Sequence, residues 1–123
     1  MTLVDTSVWI DHLRRADQVL IDLLSRRQVL VHPFIIGELA VGNLRPREAV
    51  LEELQRLRRV VVADDNEVLR LVEHEHLFGV GLGYIDVHLL ASTRLTPETS
   101  LWTRDRVLLA AAERLALGAR VTH

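Results

Sequence analysis

The chain has 123 residues, a formal net charge of −2 and no cysteine. Disulfides, thiolate catalysis and cysteine-ligated zinc are excluded, and a cytoplasmic location is the expectation. All 15 cationic residues are arginine, which removes a P-loop lysine and Schiff-base chemistry but leaves bidentate recognition of phosphate open. With 49% apolar and 26% charged residues, the composition is that of a soluble protein with one domain over residues 1–123. No apolar run approaches the ~20 residues that span a bilayer, so no membrane partner is expected.

The first strand is Leu3-Val4. Asp5-Thr6-Ser7 carries helix N-cap chemistry, and a first helix is expected from about Val8 to Arg15. Asp17 caps a second helix, from Val19 to about Arg27, with Val19, Leu20, Leu23 and Leu24 on one face. Val29 to Val31 reads as the second strand. Pro33 suits the first turn of a third helix, which Gly42-Asn43 ends. Pro46 opens a fourth, and Val60 to Val62 reads as the third strand. Asp64 or Asp65 caps a helix reaching about Leu77. A glycine-rich loop at Gly79, Gly81 and Gly83 then leads into a helix from Tyr84 to Leu95. Ser100 to Trp102 is the fourth strand, a helix follows from about Arg104 to Leu115, and Ala119 to Val121 is a short candidate strand.

Short strands alternating with helices predict a parallel sheet covered by helices on both sides. Ligands of such sheets bind at the carboxyl ends of the strands, near a topological switch point. Four carboxylates fall there, each beside a buried-looking segment: Asp5 after the first strand, Glu38 in the third helix, Asp86 opening the helix before the fourth strand, and Asp105 after that strand. Ionised carboxylates in apolar surroundings need a charge partner or a metal ion. A cluster of hard oxygen donors suits Mg²⁺ or Mn²⁺.

Four segments carry a family resemblance. Leu3-Val4-Asp5-Thr6-Ser7-Val8-Trp9-Ile10-Asp11 resembles the opening motif of PIN-domain ribonucleases. Gly37-Glu38-Leu39-Ala40-Val41-Gly42, then Gly81 to Ser92 around Asp86, then Thr103-Arg104-Asp105 resemble the second, third and fourth. Their order, spacing and total length are similar to the VapC toxins of bacterial toxin–antitoxin pairs. The resemblance implies a three-layer α/β/α sandwich around a parallel sheet of four to five short strands. It also implies metal-dependent cleavage of RNA, with tRNA or ribosomal RNA as typical targets, and a homodimer neutralised by a small VapB-like antitoxin.

On this reading Asp5, Asp86 and Asp105 are the candidate metal ligands, and Glu38 shares the ion or orients the attacking water. Thr6, Ser7 and Thr103 lie beside them, able to hydrogen-bond carboxylate, water or phosphate. Arg104 and Arg106 flank Asp105 as candidate contacts to RNA phosphate or to an antitoxin carboxylate. The rival from another class is a non-catalytic PIN-like module that binds RNA or protein; retention of all four acids favours catalysis. His74-Glu75-His76 is poorly placed for a metal, because residues two apart do not share a helix face. His88, two after Asp86, reads as a packed or partly exposed helix residue rather than a general base. Trp9 and the apolar faces of the first four helices are expected to serve the core, a dimer surface or a groove for an antitoxin helix.

Overall fold

The structure, a computed structural model, describes residues 1–121. Four strands form one all-parallel sheet: β1 (Thr2–Val4), β2 (Val29–Val31), β3 (Arg58–Arg59) and β4 (Ser100–Trp102), in the order β3-β2-β1-β4. Seven helices surround it among the described residues: α1 (Thr6–Arg14), α2 (Gln18–Ser25), α3 (Pro33–Ala40), α4 (Arg47–Arg56), α5 (Asp65–His74), α6 (Tyr84–Leu95) and α7 (Arg106–Arg114). Successive strand residues point to opposite faces, yet Leu3, Val4, Leu30 and Val31 are all buried. Both faces of the sheet are therefore covered, as an α/β/α sandwich requires.

The strand order places the site. The chain begins in the middle of the sheet, builds outward through β2 and β3, and then crosses to the other side of β1 to lay down β4. The switch point lies between β1 and β4, where Thr2, Leu3 and Val4 pair with Ser100, Leu101 and Trp102. Asp5 ends β1 there, and Thr103 and Asp105 leave β4 beside it.

Two expected strands are corrected. The third comprises Arg58–Arg59 rather than Val60 to Val62. Beyond Val60, whose N–H still reaches the Val31 carbonyl, the backbone turns to side chains of α6: Val61 N–H donates to Thr96 Oγ1 and Ala63 N–H to Ser92 Oγ. These hydroxyls replace the ladder, so Val61 and Val62 stay exposed. The expected strand at Ala119 to Val121 contracts to one parallel bridge, between Gly118 and Leu101. Helix α6 spans the expected residues, whereas α1 starts earlier, at Thr6, and α7 later, at Arg106. No helix among the described residues is long and apolar enough to cross a membrane.

Candidate active site

Asp5 is the only one of the four acids that is buried, at 6% exposure. It occupies the N-cap position of α1, but its side chain caps nothing. Its Oδ2 instead accepts two hydroxyls, from Ser7 Oγ and Thr103 Oγ1, each at 2.8 Å. Both hydroxyls also accept backbone donors: Ser7 Oγ takes the Arg104 N–H at 3.0 Å and Thr103 Oγ1 the Asp105 N–H at 3.1 Å. Two ordinary residues thus tie β1, α1 and the turn after β4 into one network, and two hydroxyl donors stabilise the buried charge.

Glu38 and Asp105 are exposed and Asp86 is half-buried, which corrects the expectation that all four sit in apolar surroundings. Glu38 Oε1 accepts Thr6 Oγ1 at 2.9 Å, bringing α3 to the start of α1. Asp105 is the N-cap of α7, its Oδ1 accepting Leu108 N–H at 3.0 Å. Asp86, in the first turn of α6, receives the Gly83 N–H.

Burial raises the pKa of Asp86, and the charges of Asp5, Asp105 and Glu38 raise it further against the lowering effect of Gly83. The four acids therefore share one electrostatic neighbourhood, although they come from positions up to a hundred residues apart in sequence. Asp5, Glu38 and Asp105 each commit one oxygen to a local donor, and the other has no hydrogen-bond partner among the described residues. Among the described residues no three acidic or imidazole side chains close on a single point as a ready ligand cage.

Arg104 occupies a different place from the one its sequence position suggests. Its Nη1 and Nη2 donate to Asp11 Oδ2 and Asp17 Oδ2, each at 2.7 Å, and the guanidinium lies 5.5 Å from the centre of the Trp102 ring. It clamps the turn after β4 to α1 and to the start of α2. Asp11 and Asp17 are functional neighbours that sequence reasoning passed over. Asp17 looked like a plain cap, which it also is, through Leu20 N–H. Arg106 is exposed at the start of α7, beside Asp105. In the His74-Glu75-His76 segment, Glu75 is committed to Arg94 through its carboxylate and to Arg114 through its carbonyl.

A second group lies farther along the same sheet edge. His32, at the end of β2, is fully buried; its Nδ1 accepts the Phe34 N–H and caps α3. Burial, with His88 and Arg59 nearby, lowers its pKa to about 4. His88, on α6, is also buried, as expected. Among the described residues, neither nitrogen of His88 nor His32 Nε2 has a hydrogen-bond partner. Tyr84 OH donates to Asp65 Oδ1 at 2.8 Å.

Residues 2–114 match the PIN domain family. The chain belongs to the PIN-domain family. It is 49% identical over 111 residues to Ribonuclease VapC32 from two strains of Mycobacterium tuberculosis, a match covering 90% of this chain and 90% of each relative. The resemblance to VapC-type PIN ribonucleases drawn from the four motifs is thereby borne out, and so is the parallel three-layer fold.

Proposed function

We propose that this PIN protein is a metal-dependent endoribonuclease toxin of the VapC type, acting on tRNA or ribosomal RNA in the cytoplasm, with the whole chain acting as one PIN unit. The observation that carries the reading is the set of uncommitted carboxylate oxygens at the β1/β4 switch point, around an Asp86 whose pKa is raised by burial and further by the charges of the other three acids. Such a set fits a hard divalent cation. Mg²⁺ retains several waters and takes few carboxylates, so a closed cage is not required.

Asp5, Asp86 and Asp105 would hold Mg²⁺ or Mn²⁺, with Glu38 sharing it. When bound, the cation neutralises the acids and the phosphodiester and makes a coordinated water more acidic. Ser7 and Thr103 hold Asp5 by Oδ2 and so present Oδ1 in one orientation. Thr6 does the same for Glu38, whose second oxygen is free to orient an attacking water and accept its proton. Gly83 restrains the carboxylate of Asp86, and the Arg104 clamp holds the turn that carries Thr103 and Asp105. Arg106, exposed beside Asp105, would meet RNA phosphate or an antitoxin carboxylate.

Antitoxin binding has a separate candidate surface. A groove of about 290 Å³ between α1, α2 and α4 is lined by Trp9, Leu13, Leu24, Val50, Leu54 and Leu57. An amphipathic helix of a VapB-like partner fits such a surface. The expected homodimer belongs to the same proposal.

The test is incubation of purified protein with total cellular RNA, with Mg²⁺ or Mn²⁺ and with chelator, beside Asp86→Asn prepared identically. Discrete fragments from the wild type alone, lost with chelator, are expected. Failure to cleave with either ion, by antitoxin-free protein, overturns the catalytic reading in favour of a binding module.

A further inference from the structure

The chain has five aromatic residues of the Phe, Tyr and Trp types. Both tryptophans are buried, whereas Phe34, Tyr84 and Phe78 are 39%, 49% and 57% exposed. Exposure of so scarce a resource needs a physical account. Phe34 and Tyr84 converge on one buried ring: their centroids lie 4.9 and 4.7 Å from that of His88, at interplanar angles of 70° and 90°. His88 is 4% exposed, so it forms a floor from which two exposed rings rise. His32 also packs against Phe34, with ring centroids 4.9 Å apart.

This pair adjoins the acids. Phe34 is one turn before Glu38 on α3, a spacing that puts both on the same helix face. Tyr84 opens α6 two residues before Asp86, on another face of the helix, so the rings meet the acids through Phe34 and Glu38. A phosphodiester held at Glu38 would therefore carry its neighbouring base toward Phe34 and, across His88, Tyr84. The ring surfaces bear no charge and suit a neutral base, whereas the acids beside them repel a second phosphate. His88 itself is sealed beneath the rings, with both ring nitrogens buried and without a hydrogen-bond partner among the described residues. Its Nε2 is 3.3 Å from Asp65 Oδ1 without forming a hydrogen bond.

We infer that Phe34 and Tyr84 form a stacking subsite for an unpaired nucleobase of the RNA substrate, next to the phosphodiester that is cut. The inference rests on the ribonuclease reading of the acidic site. A sequence-tolerant stacking platform selects single-stranded RNA, since a paired base cannot enter.

Binding is measured in the full-length Asp86→Asn protein by fluorescence anisotropy, with a labelled single-stranded RNA oligonucleotide and its abasic counterpart. Phe34→Ala and Tyr84→Ala are each expected to weaken binding of the oligonucleotide about tenfold. The abasic strand is expected to bind weakly and to be indifferent to both changes. Tyr84→Phe, which keeps the ring but loses the bond to Asp65, restores binding to within about twofold. Equal loss in Tyr84→Phe and Tyr84→Ala would overturn the proposal, since the residue would then act through Asp65. So would equal loss with the abasic strand, or a change of oligomeric state in sedimentation, which would assign the rings to an interface between copies. Metal-dependent cleavage by protein with wild-type Asp86, unaltered by Phe34→Ala or Tyr84→Ala, sinks the stacking subsite alone. Absence of any cleavage by the wild type, with ring-dependent binding intact, sinks the nuclease reading alone.

Discussion

The two halves of the sheet's carboxyl edge satisfy their polar groups in opposite ways. On the β1/β4 side every side chain of the network has a partner of complementary type: Asp5 takes two hydroxyls, each hydroxyl takes an amide, and Arg104 spans two aspartates. On the β2 side, among Phe34 and Tyr84, His32 Nε2 and both nitrogens of His88 are buried without a hydrogen-bond partner among the described residues, although His88 Nε2 lies 3.3 Å from Asp65 Oδ1. The first side is an electrostatic scaffold, rigid because each bond is charge-assisted or shared. The second is held by ring packing, and burial lowers the pKa of His32. A site that must hold charge is thus built from paired groups, and its neighbour, which holds none, tolerates orphaned ones.

The largest effect on this contrast is expected from Asp86→Asn. Cleavage of RNA should fall by about a hundredfold or more, as when a preorganised electrostatic group is lost. Stability should move the other way. The folded-state pKa of Asp86 is raised, so the stability it contributes is present below the ordinary carboxylate pKa and lost as pH rises through the folded value. Asp86→Asn is accordingly more stable than wild type at neutral pH and equal to it at low pH. Thermal unfolding at both pH values checks the sign, and a neutral-pH loss would show that the acids are not repelling one another.

His32 tests the other half. Its pKa falls from 6.5 unfolded to about 4 folded, so its contribution is complete above pH 6.5 and drains away as pH falls toward 4. The loss amounts to about 3 kcal/mol by pH 4. Denaturant midpoints across that window should slope for the wild type and flatten by that amount in His32→Asn, which retains an N-cap acceptor for Phe34. A slope unchanged by the substitution would place the acid sensitivity elsewhere.

Asp17→Asn comes next. It keeps the cap on α2 but loses the charge that meets Arg104. Because Asp17 is only 9% exposed at its side chain and Asp11 is 53% exposed, Asp17→Asn should cost about 1–2 kcal/mol and Asp11→Asn well under half of that. Urea unfolding of the two variants ranks them, and equal costs would contradict a clamp anchored on Asp17. The smallest effect is expected at Asp64, whose capping box with Glu67 starts α5. Asp64→Ala should cost about 1 kcal/mol with cleavage preserved.

Much of this was legible in the chain. Helix α6 and strand β4 lie where the apolar spacing placed them, because their signals are local: Gly83 before the helix, Thr96-Pro97 after it, and a short apolar run in the strand. The acids were found as interruptions of apolar runs. Their burial was misjudged for Glu38 and Asp105, since an apolar neighbour in sequence says nothing about the face a helical residue presents. The third strand was displaced by two residues, because the hydroxyls of Ser92 and Thr96, 29 and 35 residues away from their partners, divert Ala63 and Val61 from the sheet.

Sequence alone determined the alternation of strands and helices, the parallel sheet it implies, and the four ordered acidic motifs with their PIN-family resemblance, for these depend on short-range pattern. Tertiary structure decided which acid is buried, that Ser7 and Thr103 grip one oxygen of Asp5, that Arg104 turns to Asp11 and Asp17, and that Phe34 and Tyr84 stand on His88. Each of those contacts joins side chains from separate elements. Their partners are chosen by the crossing of the chain from β3 to β4 around β1, a choice that no window of neighbouring residues encodes.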